Sequence, residues 1–310
     1  QMFGELIGLW LATVWTEMGK PPAVDLVELG PGRGVLMADL LRAAGGLAAF
    51  RDALRVHLVE LDGPLRDEQR ARLTGEDPIW LDRLADLPLD PDRPLLLVAN
   101  EFFDAMPVKQ FERRDGVWRE RTLDWADGAL KGVLSAQTVA PALIPDDCAR
   151  SPTDGAILEV CPSGLSLARE IGERLAVSGG AALLIDYGYA PGRGFPRPPQ
   201  GTLMGIRRHL PADPFTAPGL ADLSAHVDFD ALARAAREGG AKTHGPITQR
   251  AFLKACGIDA RAAKLKEGAL PAPKAAVTAA HARLTDAEDM GGLFKILAVT
   301  GGPAPAPVFS

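Results

Sequence analysis

The chain has 310 residues, 47% hydrophobic and 24% charged, with a net charge of −6. That length can bury a full core and suits one large α/β domain with insertions, or a domain plus a small subdomain. The balance carries no basic block of the kind a sequence-independent nucleic-acid surface needs. No apolar run approaches the ~20 residues of a bilayer span, and no secretory signal is visible. Cys148, Cys161 and Cys256 are odd in number and far apart, which indicates neither a disulfide framework nor a structural zinc and fits a reducing compartment.

In chain order, apolar residues at 2, 3, 6, 7, 10, 11, 14, 15 and 18 form one continuous face and predict a helix over 2–18. Gly19 and Pro21-Pro22 end it. No cap precedes it, so residues upstream of Gln1 are expected. Val24–Leu29 is predicted as the first strand of a parallel sheet. It runs through Glu28 into Gly30-Pro31-Gly32-Arg33-Gly34, and a helix is predicted over 35–44. A second strand follows at 55–60 and ends in Glu60. After a helix over 65–73 come a short strand at 78–81, followed by Asp82, and a buried strand at 94–99. The period then changes. Strands at 108–114 and 117–125 flank Asp115-Gly116, a hairpin signal. Residues 126–156 are expected to be loop-rich, with prolines at 141, 145 and 152. A helix over 162–177, a core strand at 181–186 and a long Gly/Pro-rich segment over 187–225 follow. The remainder predicts a helix over 229–238, a strand at 241–247, a helix over 249–256, helical pattern across 274–290 and a last strand at 293–299. The tail from Gly301 is expected to be disordered.

Strands alternating with helices imply a doubly wound α/β sheet. Ligands of such sheets sit at the carboxyl ends of the strands. That rule gathers Glu28–Gly34, Glu60, Asp82, Asn100–Asp104 and Asp186–Gly188 on one rim. The glycines allow a tight turn and close ligand approach, and the next helix aims unsatisfied N–H groups at it. Val35 stands where a dinucleotide fingerprint has its third glycine, which argues against a nucleotide-dependent oxidoreductase. The pattern E-x-G-x-G-x-G resembles the first motif of class I S-adenosylmethionine (SAM) methyltransferases.

Each candidate has a functional and a structural reading. Glu60 suits two ribose hydroxyls or is a solvated strand-end acid. Asp82 suits an adenine amino group or is a surface acid. Glu28 orients the turn, binds a cofactor ammonium group, or is a hydrogen-bonded structural acid. Glu101 and Asp104, beside Asn100, suit a guanidinium held by charge-assisted bonds, or are acids favoured at a helix N-terminus. Glu159 is a second candidate for substrate contact or a helix cap. His226 and Asp228 face a pocket or are structural.

The blocks QMFGELIGLW, VELGPGRG, ANEFFDAMPV, LLIDYGY, GTLMGIRRH, LSAHVDF and MGGLFKILAV occur in order from residue 1 to about Val299. Together they resemble the MidA-like family of SAM-dependent methyltransferases. The resemblance implies a Rossmann-like class I sheet with an inserted β-hairpin and helical substrate region. The core would comprise 1–107, 157–190 and 290–300, the insertions 108–156 and 191–289, and a flexible tail 301–310. It implies SAM as cofactor at Glu28, Gly30, Gly32, Gly34 and Glu60, with Asp82 and Asn100 adjoining. It also implies protein-arginine methylation linked to respiratory complex I assembly. On the reading of the residues, Glu101, Asp104 and Glu159 are the catalytic candidates, with no metal. A protein substrate, a complex I subunit, follows as the expected partner, and a homodimer stays open. Members usually carry a region ahead of QMFGEL that helps to close the cofactor pocket. High Ala, Arg, Gly and Pro usage suggests a bacterial, cytoplasmic member; a eukaryotic one would be in the mitochondrial matrix. A small-molecule methyltransferase and a non-catalytic assembly factor are the rival functions.

Overall fold

The computed structural model describes the chain except for residues 141–143, 146–147, 149–152, 208–209, 217 and 310. Parts of the expected 126–156 loop, the last two residues of the GTLMGIRRH block and the final tail residue therefore lie outside the described residues. Helix α1 (Met2–Glu17) packs on α2 (Val35–Ala44), which follows β1 (Val24–Leu29). Next come α3 (Ala48–Ala53), β2 (Leu54–Val59), α4 (Gly63–Arg72), β3 (Ile79–Leu81) and β4 (Leu95–Asn100). Strands β5 (Lys109–Arg114), β6 (Val117–Ala126), β7 (Ala129–Thr138) and β8 (Ile157–Val160) form an antiparallel sheet of their own, in the order β7-β6-β5-β8.

The chain returns through α5 (Pro162–Ser178) to β9 (Gly180–Tyr189). It then makes a three-stranded excursion of β10 (Met204–Arg207), β11 (Leu210–Ala212) and β12 (Asp222–Ser224). After β13 (Val227–Asp228) come α6 (Phe229–Glu238), β14 (Lys242–Thr248), α7 (Gln249–Ala255), α8 (Ile258–Lys266), α9 (Pro271–Thr285), α10 (Met290–Leu293) and β15 (Phe294–Gly301).

The main sheet runs β14-β15-β9-β4-β1-β2-β3, with β13 added to β9. From β3 to β9 neighbours are parallel; β15 is antiparallel to β9 and to β14. Every residue of β1 is buried, as expected of a parallel strand covered on both faces. One face packs on Trp10, Leu11, Met37, Phe50 and Phe252, the other on Phe103, Ile171, Phe229 and Leu232. Successive side chains alternate between those two cores. The order reverses at β1, where β2 lies on one side and β4 on the other. Ligands of such sheets bind outside the carboxyl ends at this switch point.

Three expectations change. The segment after the first hairpin is a third long strand, not loop: Asp127-Gly128 repeats the Asp115-Gly116 turn, with positive φ at all four residues. Strand β14 pairs with β15 in the main sheet, so part of the 191–289 insertion is core. The tail is ordered over 301–309: the Trp10 indole N–H donates to the Pro307 carbonyl, and Phe309 packs edge-on against Trp10 and tilted against Phe252. Burying those rings outweighs the entropy of holding the tail. Among the described residues no helix is long and apolar enough to cross a membrane.

Candidate active site

Strand β1 brings Glu28 and the glycine turn to the carboxyl end of the sheet. Gly30 has φ +60°, and its N–H donates to the Val59 carbonyl at 3.0 Å. A Cβ at Gly30 would lie 2.7 Å from the Phe102 ring, so this glycine is what lets the turn touch the segment after β4. Gly32, at φ +52°, has nothing within 4 Å of its would-be Cβ and faces open space. Gly34 starts α2 in the left-handed region, where glycine carries no Cβ penalty.

Glu28 is only 3% exposed. The Met37 N–H, in the first turn of α2, holds its carboxyl, while Oε2 is buried with no hydrogen-bond partner among the described residues. Burial pushes this carboxyl up to about 8, because a charge in a dry site loses hydration.

Glu60 follows β2. Its Oε1 accepts the Asp62 N–H at 3.0 Å and its Oε2 accepts Gln69 Nε2 at 3.3 Å. A carboxylate has about four acceptor positions, so two stay available. Asp82 is different: its side chain is 68% exposed and pairs with Arg66 at 2.7 Å. Arg66 also donates to the Glu60 and Leu81 carbonyls, tying the ends of β2 and β3 together.

Gln69 was not foreseen. It is fully buried in α4, donates to the Gly32 carbonyl at 2.7 Å and accepts from the Trp80 indole at 2.7 Å. It thus locks glycine turn, Glu60 and β3 in one piece. A glutamine inside the polar stretch 63–72 carries no periodic signal, so only packing reveals it.

The second cluster is built from β4 and β9. Asn100 closes β4, and its amide lies 3.4 Å from Glu101 Oε1. Glu101 has φ +49°, a strained conformation for a residue with a side chain, and such outliers gather at functional sites. Desolvation, and then the nearby Asp104 charge, push the Glu101 carboxyl up, with Arg283 acting the other way.

Asp186 lies beneath. It accepts the N–H groups of Phe103 at 3.0 Å, Asp104 at 3.1 Å and Tyr187 at 3.0 Å. Burial and the charges of Asp104 and Glu101 raise its carboxyl well above the usual range. The Tyr187 hydroxyl donates to Asp104 Oδ2 at 2.6 Å and also contacts Ser224. Three carboxyls therefore meet at this end of the sheet, and burial and the charge of Asp104 raise the other two.

Glu159 is not in that cluster. It sits in β8, 6% exposed. It accepts the Thr202 N–H at 2.9 Å, the Thr202 hydroxyl at 2.5 Å, the Leu203 N–H at 2.9 Å and Gln110 Nε2 at 2.8 Å. Its acceptor positions are filled from within the chain, which gives it the geometry of an anchor for 202–203 rather than that of the substrate contact expected above. Thr202 in turn accepts the His226 N–H at 2.8 Å, and the His226 ring stands edge-on to Tyr187 at 5.4 Å. Asp228 caps α6 through the Ala231 N–H and pairs with Arg197 at 2.9 Å.

Residues 6–247 match the family model described as "Putative S-adenosyl-L-methionine-dependent methyltransferase". The chain belongs to this methyltransferase family. The mouse mitochondrial protein arginine methyltransferase NDUFAF7 is 36% identical over 326 residues, covering 96% of this chain and 72% of the relative. Its human counterpart is 36% identical, covering 84% of this chain and 62% of the relative. A COG1565 superfamily member from Burkholderia thailandensis, bound to S-adenosyl-homocysteine, superposes with a TM-score of 0.83 at 29% identity, covering 98% of this chain and 77% of that one. A native structure of a COG1565 protein from the same organism gives 0.84 at 30% identity, covering 100% and 82%. The family is SAM-dependent, and its sheet is the one found here.

Proposed function

We propose that this methyltransferase acts on a guanidinium nitrogen of an arginine in a polypeptide. The observation that carries the reading is the carboxyl cluster of Glu101, Asp104 and Asp186, joined to the glycine turn by the Phe102–Gly30 contact. A cluster in which burial and the Asp104 charge raise the Glu101 and Asp186 carboxyls is relieved by a cation, and a planar guanidinium can bond two carboxylates at once. The NDUFAF7 relatives, named as protein arginine methyltransferases, support the same substrate class. Their mitochondrial setting and any respiratory partner belong to this proposal too.

The residues present fit the cofactor. The partnerless Glu28 Oε2 suits an ammonium group, and the open face of Gly32 suits a backbone-close amino-acid end. Gly30, Gly32 and Gly34 shape that cradle. Glu60 has acceptor positions left for ribose hydroxyls, while Asp82 closes the rim through Arg66. Bound SAM supplies an electrophilic methyl group on a sulfonium.

The chain's own residues do the rest. Glu101 and the Oδ1 side of Asp104 hold the guanidinium and fix the direction of its nitrogen. Tyr187 holds Oδ2, so Asp104 presents one edge. A methylated guanidinium must shed a proton, and the raised carboxyl of Glu101 suits it to take one. Positioning supplies most of the acceleration, since orientation lowers a barrier by roughly 7–11 kcal/mol.

Glu101→Gln tests this. Transfer to an arginine peptide should slow by ~100-fold, the size of losing one aimed charge. SAM affinity, read by calorimetry, should change by less than about threefold, below 1 kcal/mol. Equal loss of both would remove Glu101 from the substrate side.

A further inference from the structure

Beside the carboxyl cluster lies a cavity of about 280 Å³. Phe103, Val108, Leu158, Leu165, Val227 and Leu232 give it a mainly apolar wall. The polar groups on that wall are engaged elsewhere. Glu159 is filled by its four donors, Asp228 by Arg197 and the Ala231 N–H, and the Cys161 thiol accepts the Gly164 N–H at 3.3 Å. The Tyr189 hydroxyl accepts from Arg197 at 2.7 Å, and burial keeps His226 on the neutral side of its usual range. Arg234 lines the cavity and is itself exposed, so the space reaches solvent.

Three wall residues abut the Asp104 unit directly. Phe103 precedes it in the chain. The Ala225 N–H donates to the Asp104 carbonyl at 3.0 Å. The His226 ring stands on Tyr187, whose hydroxyl holds Asp104. The cavity therefore begins one residue from the proposed guanidinium site. Protein interiors seldom leave voids much larger than a water. A dry cavity of about 150 Å³ already holds a benzene ring, and pockets for whole small molecules begin near 300 Å³. This one is sized for a single large side chain. Consecutive Cα atoms lie about 3.8 Å apart, so a residue one or two positions from the arginine reaches it.

We propose that this cavity, walled by Phe103, Leu158, Leu165 and Leu232, receives an uncharged apolar side chain of the substrate polypeptide flanking the target arginine. It is a specificity pocket for a residue of leucine, methionine or phenylalanine type. The inference rests on the arginine reading above.

The test uses the SAM-loaded protein and two synthetic peptides carrying one arginine, flanked either by leucine or by glycine on both sides. The leucine peptide should show a KM about tenfold lower or better, the discrimination expected from an apolar pocket. Ala231→Phe, which fills the cavity from α6, should bring the KM ratio of the two peptides close to one. Leu165→Ala, which enlarges the cavity, should shift the preference from leucine towards phenylalanine, read with a third peptide flanked by phenylalanine. These opposite directions are not what general damage produces, and SAM binding by calorimetry verifies that each variant is folded. Equal KM values for both peptides in the unmodified protein, with arginine methylated, would overturn the pocket and leave the arginine reading standing. Methylation of neither peptide by protein that binds SAM would overturn both.

Discussion

Glu28 and Glu159 are both buried glutamates near strand ends, one in the glycine-turn region and one at the foot of the inserted sheet, yet their surroundings are opposite. Glu28 keeps one oxygen without a partner and holds its proton up to about 8. Glu159 receives four donors from Gln110, Thr202 and Leu203. A buried polar atom left open is costly unless something else completes it. The contrast separates the region proposed for the cofactor from one that holds the chain together.

The hardest way to break the contrast is Glu159→Ala. It leaves buried donors stranded, which should cost ~2–4 kcal/mol and show as a clear fall in denaturation midpoint. SAM affinity of the folded fraction should hold. A variant as stable as the parent would show that the anchor is idle. Next comes Gly32→Val. Its Cβ meets no protein atom but occupies the face proposed for the cofactor, so SAM affinity should drop by about 10–100-fold, as when close backbone approach is lost. The stability loss should stay near the ~1–2 kcal/mol of a left-handed residue with a side chain. Tight SAM binding by this variant would move the cofactor elsewhere.

Glu28→Gln sharpens the comparison through pH. Between about 4.5 and 8 the folded protein keeps a proton on Glu28 that the unfolded chain has released. Raising pH through that window therefore takes stability from the folded state, and the loss levels off above 8. The glutamine variant removes this contribution. Its melting temperature should decline less from pH 5 to 8, by about a few degrees, while SAM binds about tenfold more weakly or worse for want of a charge-assisted bond. Parallel melting curves for parent and variant would refute the raised carboxyl. The smallest effect is expected from Tyr187→Phe. Asp104 loses one hydrogen bond, and kcat should fall by about 3–10-fold with SAM affinity unmoved.

The two regions also differ in how much of them the sequence disclosed. The alternation of apolar strands and helices placed β1, β2, β4 and β9 within a residue or a few of their observed bounds. The acids after β1, β2 and β4 lie at the carboxyl ends of neighbouring strands, as the parallel order demands. The inserted region was less legible. A second Asp-Gly turn hid a third strand, and the expectation that Glu159 touches substrate met a carboxylate already saturated by Thr202, 43 residues away. Gln69 gave no periodic signal at all.

Periodicity, glycine spacing and strand-end acids are local, because they follow from the 3.6- and 2-residue repeats and from allowed φ. They determined the sheet, the turn and the candidate acids, while the cofactor class came from the family resemblance. Only the tertiary structure decided which acids are free and which are filled. Hydrogen-bond satisfaction depends on partners such as Asp186 for the Phe103 N–H, 83 residues apart, and on the burial that withholds water from every polar atom left over.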